Sequence, residues 1–259
     1  MDQNTNIVPP VSDDQKLSIL PVEILIPGIK PDLETPNMSP EAREDNNDSG
    51  FTRTGHAFDN TYLDKMLGFT KDKFNQEFFT KFVKGVRAKL QGQTIVDLGA
   101  GSTNLGYCTS LLFGAAKYVA VEKFGKITKD LISELTKISF KNGEIPLDKS
   151  TLYDGRKILK EQNIIKIDKL IPVSVAQDKM LHFLKRLPDN SVSILTSGIN
   201  YALIDNTEYR EAIAREIERV LSPTGVYVSR SSDINTRNLT ALPDLTEEEL
   251  EIKVFAKNK

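Results

Sequence analysis

Ile95-Val96-Asp97-Leu98-Gly99-Ala100-Gly101-Ser102 is the stretch that decides how the rest of the chain is read. A short apolar strand runs straight into a pair of glycines, and a helical pattern near 104–113 follows. Without side chains at 99 and 101, the backbone can turn tightly there and approach a ligand closely. Asp97 stands at the end of the strand, where it can orient the loop or meet a cationic amino group. A tight strand-to-helix turn with no ligand has the same signature, so the motif takes its meaning from its neighbours.

The next strand ends Tyr118-Val119-Ala120-Val121-Glu122. An acid at the carboxyl edge of the adjacent strand can accept both hydroxyls of a ribose. Alone, such a glutamate is most simply a solvated strand end; beside the glycine loop it marks a nucleoside site. A dinucleotide fold wants Gly-x-Gly-x-x-Gly, whose third glycine lets helix and strand pack closely. Here the third position is Asn104 and glycine returns only at Gly106, which makes a poor cradle for a pyrophosphate.

Outward from this core, short apolar strands alternate with amphipathic helices. Strands are expected at Thr94–Leu98, Tyr118–Val121, Ile171–Ala176, Val192–Thr196 and Gly225–Ser229, with helices near 104–113, 126–140 and 207–221. In the last helix Tyr209, Ile213, Ile217 and Val220 share a face, and Ser222-Pro223-Thr224-Gly225 supplies the turn after it. This alternation predicts an α/β, doubly wound and mostly parallel sheet with helices on both faces.

Residues 1–50 read as a proline-rich, largely disordered tail whose composition cannot repay its ordering entropy by burial. Leu17 to Ile29 is the exception, apolar enough to pack as an extended arm on the domain or on a partner. Residues 51–90 read as a helical cap, because Phe74, Phe78, Phe82 and Val86 repeat every four residues. A stripe of this kind is most often core packed on a sheet; its functional version covers a substrate pocket. Residues 91–259 form the ligand-binding core, with an insertion around 141–165.

With these pieces in order the chain resembles the class I, Rossmann-like, S-adenosylmethionine (SAM)-dependent methyltransferases. Val96–Ser102 looks like that family's first SAM-binding motif and Glu122 like its ribose-binding acid. Val175-Ala176-Gln177-Asp178-Lys179-Met180 resembles the segment whose acid meets the adenine amino group, which implies that role for Asp178. Leu187-Pro188-Asp189-Asn190-Ser191-Val192 is similar to the turn into the fourth strand, and Ile213 to Tyr227 to the helix and turn before the fifth. The fourth strand ends Thr196-Ser197-Gly198-Ile199-Asn200, where in the family substrate and methyl group meet. The resemblance thus implies a cofactor site of Asp97, Gly99, Ala100, Gly101, Ser102, Glu122, Lys123, Asp178, Lys179 and Ser197. S-adenosyl-L-methionine would be the cofactor and S-adenosyl-L-homocysteine the product.

Three departures stand beside the likeness. The insertion adds roughly 25 residues before the third strand. After Ser232 only Leu250–Ala256 reads as a clear strand, so the expected seven-stranded sheet has one edge strand missing or very short. The fourth motif also lacks the Asn-Pro-Pro-Tyr or Asp-Pro-Pro-Tyr of enzymes that methylate amino groups of nucleic acid bases or glutamine.

Methyl transfer from a sulfonium is an in-line displacement that depends mainly on holding acceptor and methyl in near-attack geometry. A general base is needed only if the acceptor still carries its proton, and the sequence assigns no catalytic residue. His56 and Tyr201 are the weak substrate-side candidates. His182 reads as structural or near the adenine, and Cys108, on an apolar face with Leu105, Leu111 and Leu112, as a buried small hydrophobe.

Composition narrows the alternatives. A formal charge of −2 over 259 residues supplies no global field for nucleic acid or an anionic membrane. One cysteine forms no intrachain disulfide, and with two histidines it makes no zinc-ligand spacing. The N-terminus lacks a secretory signal pattern, and no apolar run approaches the roughly 20 residues that span a bilayer. A cytoplasmic methyltransferase acting on a small molecule is therefore the leading expectation. A non-catalytic relative serving as a partner-binding subunit comes second, and an NAD-dependent oxidoreductase, disfavoured by Asn104, third.

Overall fold

The computed structural model describes residues 22–25, 69–70, 73–74, 76–123, 125–138, 143–144, 160–196, 207–229, 236–246 and 253–258. In chain order they form β1 (Val22–Leu25), β2 (Phe69–Thr70), β3 (Lys73–Phe74), α1 (Gln76–Leu90), β4 (Thr94–Leu98), α2 (Leu105–Leu112), β5 (Lys117–Glu122) and α3 (Gly125–Thr136). There follow β6 (Val173–Gln177), α4 (Met180–Lys185), β7 (Ser193–Leu195), α5 (Thr207–Val220), β8 (Tyr227–Ser229), β9 (Leu239–Ala241) and β10 (Lys253–Lys257).

Eight strands make one sheet in the order β1-β6-β5-β4-β7-β8-β10-β9. From β4 the chain winds outward through β5 to β6, then returns to the other side of β4 for β7 and β8. Strand order therefore reverses between β4 and β7, and a doubly wound sheet opens its ligand crevice at that point, outside the carboxyl ends of the strands. All pairings from β1 to β8 are parallel, and β10 runs antiparallel to both β8 and β9. The expected terminal hairpin is thus present, and its short edge strand is β9, three residues long. The extra strand is β1, which pairs in parallel with β6 from Val22↔Val173 to Leu25↔Ala176. Within the arm expected at Leu17–Ile29, these four residues dock on the domain itself.

The strands are continuous apolar runs because helices cover both faces. Ile95, Tyr118, Ala120, Val173, Val175 and Val228 pack on one side with α1, α2 and α3. Val96, Leu98, Val119, Val121, Ala176 and Tyr227 pack on the other with α4 and α5. Alternate residues of one strand thus serve two cores. The phenylalanine stripe belongs to the first: Phe79, Phe82, Val83 and Val86 of α1 are fully buried, and Phe82 meets Phe113 edge-on at 6.0 Å. The helix from the 51–90 segment is therefore a layer of the fold.

The insertion is closed at its base. Glu144 and Lys166 form an antiparallel bridge, Ile167 N–H donates to the Gly143 carbonyl at 2.9 Å, and Lys160 pairs with Glu144 at 3.1 Å. Its last residues join the core, with Ile164 and Ile165 buried and Arg87 donating to the Ile164 carbonyl at 2.9 Å. Among the described residues no helix is long and apolar enough to cross a membrane.

Candidate functional site

The site is built where β4, β5 and β6 end side by side. At the end of β4 the chain turns through Gly99 and Gly101 at φ +70° and +72°. This left-handed region costs a residue with a Cβ about 1–2 kcal/mol, so the glycine pair is demanded by the backbone. The Gly99 and Ala100 N–H groups both donate to the Val121 carbonyl, at 2.9 and 3.2 Å, which folds the loop back onto β5.

Glu122, at the end of β5, is buried and held by the backbone. One carboxylate oxygen accepts the Gly101 N–H at 3.2 Å and the other the Lys123 N–H at 2.8 Å. Asp178, at the end of β6, is also buried, and its own N–H donates to the Glu122 carbonyl at 3.0 Å. Its carboxylate accepts the Lys179 N–H at 2.8 Å, lies 2.8 and 3.0 Å from His182 Nδ1 and takes a hydrogen bond from Arg186. Two acids on adjacent strand ends therefore face one edge, each capped by the amide of the following lysine. Ser102, Lys123 and Lys179 are half-buried beside them, and Ala100 is buried.

Asp97 lies one layer below. It is fully buried, and the Tyr118 hydroxyl donates to its Oδ2 at 2.8 Å. Burial, and then the Asp97 carboxylate, push the Tyr118 hydroxyl well above its ordinary pKa. Tyr118 did not stand out in the sequence, though register and alternation could have found it. Asp97 pairs with Ala120, and two residues back along β5, on the same face, is Tyr118. Arg186 also went unread; its signal was the four-residue spacing of His182 and Arg186, which puts both on one face of α4.

Ser197, His56 and Tyr201 lie outside the described residues. Cys108 is buried in the α2 core, and desolvation pushes its thiol up to about 12, so it is a packed small hydrophobe and not a nucleophile. Among the described residues no group of three His, Cys, Asp or Glu is placed to hold a metal ion.

Chemically, the edge is rich in acceptors. A pyrophosphate at the loop would meet a carboxylate, because the Gly101 amide that could cradle a phosphate is already turned onto Glu122. Ligand hydroxyls, amino groups and positive charge suit this edge better.

No family model matches the chain, and no curated protein does. Several solved structures are similar in outline. A Haemophilus influenzae protein named provisionally as a methylase is 14% identical over 70% of this chain and 96% of its own, with a TM-score of 0.41. A TehB-like SAM-dependent methyltransferase from Corynebacterium glutamicum is 14% identical over 67% of this chain and 88% of its own, TM-score 0.38. A Haemonchus contortus phosphoethanolamine N-methyltransferase, solved with phosphoethanolamine and S-adenosylhomocysteine, is 13% identical over 76% of this chain and 34% of its own, TM-score 0.37. The fold assignment rests on strand order and pairing in this chain, not on likenesses of that size.

Proposed function

We propose that the chain is a SAM-dependent methyltransferase whose cofactor lies across the carboxyl ends of β4, β5 and β6. The observation that carries this reading is the Gly101 amide bound to the buried Glu122 carboxylate. That bond turns a glycine loop at a switch point away from phosphate binding and toward a nucleoside with hydroxyls and a cationic tail. Bound there, SAM would supply an electrophilic methyl group. The residues of this chain then have separate tasks. Gly99 and Gly101 bring the backbone close, Glu122 accepts from the ribose, and Asp178 accepts from the adenine amino group. Asp97, buried under the loop and tied to Tyr118, holds the loop's orientation.

The acceptor is proposed to be a small molecule. The formal charge of −2 and the absence from the sequence of a basic cluster with interleaved aromatics favour it over RNA. His56 and Tyr201 remain the substrate-side candidates, and Ser197 a cofactor-side one. Parallel calorimetric titrations with SAM, S-adenosylhomocysteine and NAD test the reading. Binding of the first two without NAD is expected, followed by transfer of labelled methyl to one member of a small-molecule panel. Binding of NAD alone would overturn it. A folded chain that binds none of the three is a partner-binding relative and no enzyme of this class.

A further inference from the structure

Asp178 is held by more than its own loop. Its carboxylate is nearly inaccessible, the side chain being 7% exposed, whereas those of His182 and Arg186 are 38% and 48% exposed. His182 in α4 and Arg186 at its C-cap thus both reach back to a single buried acid that precedes the helix. An ionised carboxylate offers about four acceptor positions and no donor. The Lys179 amide, the His182 ring and the Arg186 guanidinium supply three donor hydrogens, the ring facing both oxygens, so a fourth donor from outside finds a position once the His182 hydrogen settles on one oxygen. The Arg186 guanidinium is itself seated, 5.5 Å from the centroid of the Phe183 ring. On the α5 side Tyr209 feels the Asp178 charge: burial raises its hydroxyl most, a bond to the Leu181 backbone lowers it, and the Asp178 carboxylate raises it last.

We propose that His182 and Arg186 are positioning residues that fix Asp178 as the acceptor for an exocyclic amino group. They thereby set a preference for adenine over hypoxanthine at this site. The inference rests on the nucleoside reading above. An acceptor-only carboxylate rewards the adenine amino group and opposes the hypoxanthine carbonyl, but only while its position is fixed. Without Arg186 or His182 the carboxylate loses a charge-assisted partner and gains rotamer freedom, so the penalty for the wrong base shrinks.

The test uses the full chain, with S-adenosylhomocysteine and its inosine counterpart titrated in parallel and a thermal melt for each variant. The wild type is expected to prefer the adenine ligand, and Arg186→Met to reduce that preference roughly tenfold, the worth of one charge-assisted hydrogen bond. Arg186→Lys should restore part of it, and His182→Gln should fall between. Should Arg186→Met not fold, Arg186→Lys and His182→Gln carry the same comparison. Equal weakening of both ligands, with the preference intact, would mean a merely structural clamp and overturn the inference. Failure of the wild type to bind either ligand would overturn the nucleoside reading itself.

Discussion

Glu122 and Asp178 end neighbouring strands, are equally buried and share a backbone hydrogen bond, yet they are held by different means. Glu122 is pinned by the amides of Gly101 and Lys123, donors that belong to the main chain. Asp178 takes one amide but leans on His182 and Arg186, two half-exposed side chains. The first acid is set by the path of the chain and the second by its decoration. Backbone anchoring ties position to the fold, whereas side-chain anchoring can be changed without changing the fold.

The largest expected effect lies on the backbone-held side. Glu122→Ala removes a charge-assisted bond to the ribose and should weaken S-adenosylhomocysteine binding by about 1.5–3 kcal/mol, roughly 10- to 150-fold in a titration. Unchanged affinity in a folded variant would falsify the ribose assignment. On the opposite side, Arg219 of α5 staples α4 in place. It donates to the Leu184 and Leu187 carbonyls at 2.9 and 2.8 Å and bonds Glu216 and Asp189. Arg219→Ala should therefore cost about 2 kcal/mol of stability by denaturant unfolding and blur base preference more than ribose binding.

Gly101→Ala places a Cβ at φ +72° and should cost about 1–2 kcal/mol, with ligand affinity falling alongside the melting temperature. Ser174→Ala removes the 2.7 Å bond from a buried hydroxyl to the Glu23 carboxylate. That contact fixes β1 against β6, the strand that carries Asp178, and its loss should cost about 0.5–1.5 kcal/mol.

The last effect is absent at neutral pH and shows only as a slope on the alkaline side. Cys108 rises from about 9 to about 12 on folding, and Tyr107 and Tyr118 are raised by burial too. The folded chain therefore keeps protons that the unfolded chain releases. Stability from Cys108 is fully present below pH 9 and is lost as pH rises toward 12. Cys108→Ala should flatten that part of the alkaline unfolding curve.

The same contrast explains what was legible in the sequence. Thr94–Leu98, Glu122 and the turn around Gly99 and Gly101 announce themselves because strand ends and glycine turns are local backbone events. The helix at 207–220 is equally plain from its apolar face. β1 is harder, because four residues in a proline-rich tail gain their order from contacts far along the chain, such as the Glu23–Ser174 bond across 151 positions. β9 is three residues long and carries no alternation to detect. Tyr118 beneath Asp97 and Arg186 behind Asp178 are tertiary facts, visible only once register and helical spacing bring the pairs together.

The most direct test of the central claim is a crystal structure of the full chain with S-adenosylhomocysteine. The ribose hydroxyls are expected on the Glu122 carboxylate and the adenine amino group on Asp178, with the loop at Gly99–Gly101 against the ligand. A nucleoside bound anywhere other than the ends of β4, β5 and β6, or turned so that another group meets Glu122, would contradict the account.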